Sequence, residues 1–278
     1  MRKVVSFIKE LVWRFLLHEG PSKSAELAYF FLLSLFPFMI FLLTLIRYLP
    51  VKTADVIGLI AQYAPEDTLS IIEETLKTGN RGLLSFGIIA AVWSASNGVN
   101  AIVRAFNHAY EVKETRSFIM VRLTSLFLTA ALVFTILIAL LLPVFGRVIG
   151  HFIAGLDGTP HMFLTAWSAI RWGISPLVLL IVFTALYFFA PNKRLSFTFA
   201  LPGAIAATAG WIIVSVAFSY YVSEFANYSA TYGSLGGIIA LMVWFYLSGM
   251  MIILGGEINA LLHKRKIIPE ENPAKRAT

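Results

Sequence analysis

The sequence predicts an all-α, polytopic membrane helix bundle with about six transmembrane helices and amphipathic helices at its interfaces. Three observations carry this prediction. Six long intervals contain no charged residue, Lys and Arg are unevenly shared between the segments that join them, and only 13% of the 278 residues are charged, with a mean hydropathy of +0.79. A water-soluble domain carries roughly a quarter of its residues as charges, so most of this surface is suited to lipid. Cysteine is absent, which excludes disulfides, thiolate metal sites and cysteine nucleophiles.

The chain opens with residues 1–20, where Arg2, Lys3, Lys9, Glu10, Arg14 and Glu19 interrupt any apolar core of a signal peptide. Val4, Phe7, Ile8, Leu11, Val12 and Phe15 instead recur at helical spacing. This amphipathic helix either lies in the inner interface or packs on the cytoplasmic ends of the bundle.

A lipid-spanning helix needs about 20 apolar residues. The charge-free intervals Leu27 to Ile46, Gly82 to Val103, Leu123 to Gly146, Trp172 to Asn192, Leu195 to Ser223 and Phe225 to Gly256 meet that length. The second, and both ends of the last, are the most polar. None shows the alternation of barrel strands, and backbone groups in hydrocarbon must be paired internally, so these are helices.

Translocated segments are depleted in Lys and Arg. With the N-terminus inside, the cytoplasmic stretches 1–26, 104–122, 193–194 and 257–278 hold 5, 4, 2 and 5, whereas 47–81, 147–171 and Glu224 hold 4, 2 and none. Both termini are therefore expected in the cytoplasm, and the net charge of +7 reports this sidedness. It does not point to nucleic acid, because no basic face interleaved with aromatics appears. The outer loop 51–80 reads as two surface helices, with Ala64-Pro65 dividing them. Residues 1–262 are expected to form one bundle domain and 263–278 a basic cytoplasmic tail.

Polar residues at membrane depth are the chemical clue, being costly there. Asn97, Asn100 and Arg104 fall within an arc of about 60° at 100° per residue, with Trp93 on the same side. They serve either as hydrogen bonds between helices or as the lining of a hydrophilic cavity. Segment 228–237, with Tyr228, Tyr232, Gly233 and Gly237, is the second candidate. Gly233 and Gly237 have the spacing of a close helix contact, and a helix broken there would offer backbone groups to a substrate. Pro37 and Pro202-Gly203 carry the same ambiguity, while Gly203, Ala207 and Gly210 favour close packing. Depth along the spans pairs Arg104 with Glu257, as a structural clamp rather than a proton-relay site, and a guanidinium there can serve as both clamp and anion contact.

Catalytic chemistry finds little support. The histidines at 18, 108, 151, 161 and 263 include no pair closer than ten residues, and the acidic pairs fall in the outer loop or the tail. No clustered ligands for a divalent ion, phosphate loop, HExxH or GxSxG is present. Neither a cofactor nor enzymatic activity is expected.

Several stretches together resemble the YihY/BrkB family, whose members were once labelled ribonuclease BN. They are AELAYFFLLSLFPF (25–38), WSASNGVNAIVRAFNHAYEVKETRSF (93–118), PNKRLSFTFALPGAIAATAGW (191–211), FSYYVSEFANYSATYGSLGG (218–237) and LGGEINALL (254–262). The resemblance implies a six-helix bacterial inner-membrane protein connected with transport or envelope lipids. The expected function is a transporter or translocase of an amphiphilic or anionic envelope molecule, with membrane lipids as partners. The alternative is a non-transporting scaffold or assembly subunit.

Overall fold

A computed structural model describes residues 2–46, 81–132, 161–193, 195–224 and 234–267. They form seven helices: α1 (Arg2–Leu17), α2 (Gly20–Ile46), α3 (Arg81–Ala109), α4 (Phe118–Leu132), α5 (His161–Phe189), α6 (Phe197–Glu224) and α7 (Ser234–Ile267). Among the described residues there is no strand. The all-α membrane bundle is therefore the fold. Ser85–Ala109, Phe197–Val222 and Gly236–Arg265 are long and apolar enough to cross a membrane, including the two spans whose polarity stood out. The expected outer helices of 51–80, the second half of the third span, and Tyr228, Tyr232 and Gly233 lie outside the described residues.

α7 is the central helix, packed against α2, α3 and α6, while α2 also pairs with α3 and α5 with α6. Leu27, Val99, Ile102, Phe106, Leu186, Tyr187, Ala200, Ala204 and Ile253 meet in the core. In lipid there is little hydrophobic drive between helices, so contact geometry and buried hydrogen bonds decide the packing. The α6/α7 crossing uses both. A Cβ on Gly203 would collide with the Gly255 carbonyl oxygen, and one on Gly255 would strike the Tyr187 hydroxyl. The backbones thus touch where Gly203, Ala207 and Gly210 are expected to allow it.

Asn259, fully buried, accepts from the Gly203 N–H at 2.6 Å and donates to the Ala200 carbonyl at 3.0 Å. Tyr187 donates to the Ile252 carbonyl at 2.7 Å. Gly237 corrects the expectation for the start of the last span. A Cβ there meets no described atom within 4 Å, whereas one on Gly249 would lie 3.2 Å from the Ser24 carbonyl oxygen. The close approach of α7 occurs toward its C-terminal half, because that is where α2 and α6 press on it.

α1 combines the two readings offered for it. Leu11, Arg14, Phe15 and His18 are buried, whereas Val5, Ile8, Val12 and Leu16 are exposed. One face docks on the bundle and the other presents an apolar stripe, as an interfacial helix does.

A charged knot at one end of the bundle

The ends of α1, α3, α5 and α7 and the starts of α2, α4 and α6 gather at one end of the molecule. The loops there are stitched together. Asn192 donates to Thr115 Oγ1 and to the Lys113 carbonyl, its N–H is accepted by Asn107 Oδ1 at 2.6 Å, and Arg116 donates to the Ala190 carbonyl. Glu114 accepts two bonds from the Arg116 side chain and one from Asn107. These donors, Arg116 first, pull its carboxyl down to about 2. Ser117 caps α4, its hydroxyl accepting from the Met120 N–H.

At the centre lies Glu257, 1% exposed. His18 Nδ1 is 2.5 Å from its Oε1, and Arg14 Nε reaches its Oε2 at 3.4 Å. His18 Nδ1 and Arg14 Nε thus meet the two different oxygens of one carboxyl. Arg14 is itself 3% exposed and spends its remaining donors on Glu111 at 2.9 Å and on the Ala109 carbonyl at 2.6 Å. That carbonyl belongs to the last turn of α3, which has no acceptor-side partner within the helix and carries the negative end of its dipole. A guanidinium with donors in several directions is suited to this junction. Taking a carboxylate and a cation out of water costs several kcal/mol per ion, recovered only when the geometry is complete. The three directional contacts of Arg14 supply that geometry.

The backbone makes its own concession here. α3 ends with Val112 N–H bonded to the Asn107 carbonyl and Glu111 N–H to that of His108, the double bond of a Schellman ending. The residue in left-handed conformation in such an ending is usually glycine, but here it is Glu111, with φ of 54°. A side chain in that region costs of order 1–3 kcal/mol. The cost is offset by Glu111 joining Arg14 to Lys264, which donates to it at 3.1 Å. The Lys264 bond is the first cause of a lowered Glu111 pKa.

The expected Arg104–Glu257 pair does not form. Arg104 is exposed and binds Glu26 at 2.5 Å, with both side chains more than a third exposed. Depth along α3 and α7 is similar, but helix rotation turns Arg104 toward α2, and α1 delivers Arg14 and His18 to Glu257 from the side. Asn97 accepts a 2.8 Å bond from Arg122 Nη1, whose guanidinium lies 3.9 Å from the centre of the Trp93 ring. Asn97 therefore bonds a neighbouring helix, the packing role weighed for it, and Asn100 is part-buried beside it. Sequence reasoning missed Arg14, His18, Glu111 and Arg122 as site residues. For α1 there was a signal, since Arg14 and His18 continue the helical stripe of Leu11 and Phe15.

Fold and knot together define a helical membrane protein with a buried cluster of charged side chains at one end of its described bundle. Residues 11–278 match the family described as Virulence factor BrkB, and the chain belongs to that family. It is 70% identical over 273 residues, 97% of this chain and 99% of the relative, to YfkH of Bacillus subtilis (strain 168), which bears a ribonuclease-like name. A UPF0761 membrane protein of Vibrio parahaemolyticus, VP0125, is 30% identical over 94% of this chain and 83% of its own length. A further UPF0761 membrane protein, from Chromohalobacter salexigens, is 27% identical over 95% of this chain, which spans 64% of that relative. No solved structure matches.

Proposed function

We propose that this protein translocates an anionic or amphiphilic envelope molecule, that both its termini are cytoplasmic, and that the charged knot is its inner gate. The observation that carries the proposal is Glu257, a carboxylate buried in the C-terminal part of the central helix and held by Arg14 of α1 and by His18 just after it. Ionisable groups at such depth are expensive, which makes function the default reading for them. α1 is also the element that can leave. It rests on the bundle by one face, so its withdrawal would uncover Glu257 without repacking any span. The segments richest in Lys and Arg gather at this end, which supports the cytoplasmic assignment.

The non-transporting scaffold remains the second reading, favoured by the backbone contact at Gly203 and Gly255. The ribonuclease-like name belongs to the YfkH relative, and among the described residues no three potential metal ligands cluster.

Reconstitution separates translocation from scaffolding. Liposomes containing the protein and fluorescent phosphatidylglycerol are treated with dithionite, which quenches only the outer leaflet. Loss of inner-leaflet signal faster than in protein-free liposomes, altered further by Glu257→Gln, is the expected result. Rates equal to those of protein-free liposomes for both wild type and variant would overturn the proposal in favour of the scaffold.

A further inference from the structure

Beside the knot lies a cavity of about 270 Å³ whose walls include Arg14, Tyr110, Glu111, Lys193, His263 and Lys264. Three permanent cations thus face a single carboxylate. Arg14 and Lys264 already share Glu111, while Lys193 is placed over the Tyr110 ring at 5.6 Å. On two of the lining residues, the Tyr110 hydroxyl and His263 Nδ1 are buried and find no hydrogen-bond partner among the described residues. Their residues are 7% and 9% exposed. Buried polar atoms are nearly always satisfied, and leaving one unpaired costs about 1–3 kcal/mol. Both atoms belong to residues that line the cavity.

From this arrangement we infer that the cavity binds a phosphate group, carried either by a lipid headgroup or by a small soluble phosphate. The charge requires an anion. Lysines and an arginine suit phosphate oxygens, and an anion with several acceptor oxygens can take the Lys193 ammonium and the Tyr110 hydroxyl together. Burial raises the Tyr110 pKa, so the phenol remains a donor. Size narrows the class further. Pockets for drug-sized ligands span roughly 300–1,000 Å³, so this one has room for a phosphate with a glycerol-sized substituent. Arg14 is common to the cavity and the knot, so a bound phosphate would compete with Glu111 and Glu257 for its donors. The inference goes beyond translocation and stands without it, and its test reads binding alone.

The test uses the full chain in nanodiscs. In phosphatidylcholine discs, inorganic phosphate and glycerol 3-phosphate are each titrated against the thermal midpoint. Separately, native mass spectrometry compares retention of phosphatidylglycerol and phosphatidylcholine by protein taken from mixed discs. A rise in midpoint with the soluble probes identifies free phosphate as the source, and preferential retention of phosphatidylglycerol identifies the headgroup.

In whichever arm responds, Lys193→Gln should weaken binding about tenfold, equivalent to about 1.4 kcal/mol. Tyr110→Phe should weaken it as well while leaving the ligand-free midpoint unchanged or raised, since it removes a hydroxyl that has no partner. Lys113→Gln, an exposed charge on the same loop outside the cavity, should leave binding intact. The inference is overturned if neither arm responds in the wild type, or if Lys113→Gln weakens binding as much as Lys193→Gln.

Discussion

The knot around Glu257 and the crossing at Gly203 lie within about one turn of each other along α7, yet they are held by opposite means. The crossing is backbone against backbone, with one asparagine closing both of its hydrogen-bonding needs. The knot joins α1, the end of α3 and α7 through ion pairs and charged hydrogen bonds centred on Glu257 and Glu111. Close packing of the first kind has one arrangement and resists change. An ion-pair junction of the second kind can exchange partners, because each member also bonds well to water, to a proton or to another ion. A membrane protein that must open at one end without loosening its spans needs this division.

The largest expected effect comes from breaking the knot on one side only. Glu257→Ala strands Arg14 and His18 in a buried site, a loss of about 3–5 kcal/mol by the behaviour of buried pairs, read as a fall in thermal midpoint or monodisperse yield. Adding Arg14→Met should restore much of it, with strong non-additivity between the two changes. Additive effects would mean that the two residues do not share one junction.

Next in size is the crossing. Gly203→Leu should cost at least about 1–3 kcal/mol, as overpacked cores do, while Gly237→Leu should be near neutral. Comparable damage from both would erase the distinction between a packed and an open part of α7. A smaller and more diagnostic comparison concerns Glu111. Both Glu111→Ala and Glu111→Gly remove the bonds to Arg14 and Lys264, but only glycine relieves the left-handed backbone. The glycine variant should be more stable by about 1–2 kcal/mol, and equality would show that the α3 ending relaxes.

Acid supplies the smallest effect. Glu114 is held at about 2, below its ordinary 4.5, so its contribution is present above that ordinary value and lost as pH falls through the interval between the two. The thermal midpoint should decline there, and Glu114→Gln should flatten the decline. An unchanged slope would assign the acid sensitivity to other carboxylates.

Much of this architecture was legible before the structure. Of the six charge-free intervals, three fall on the described helices long and apolar enough to cross a membrane, and the small residues of α6 pointed to the tight crossing. The site was less legible because depth is one coordinate and rotation another. Counting residues placed Arg104 and Glu257 at similar levels but could not tell that Arg104 faces α2. Nor does composition weigh a helix lying across the bundle. Arg14 and His18 read as ordinary interfacial charges until α1 is docked with them inward. The left-handed Glu111 had no sequence signal at all, since glutamate is not expected where glycine usually ends a helix.

The span between Arg14 and Glu257 has a consequence for biosynthesis. The partners are 243 residues apart, so α1 emerges from the ribosome first and cannot be locked until the final helix has been made and inserted. During that interval its arginine and histidine must stay solvated, with the helix held at the membrane surface by its apolar side alone. A nascent chain that stops short, or inserts its last segment in the wrong direction, leaves α1 unfastened. Fastening of α1 is thereby tied to the placement of α7, at the far end of the chain from it.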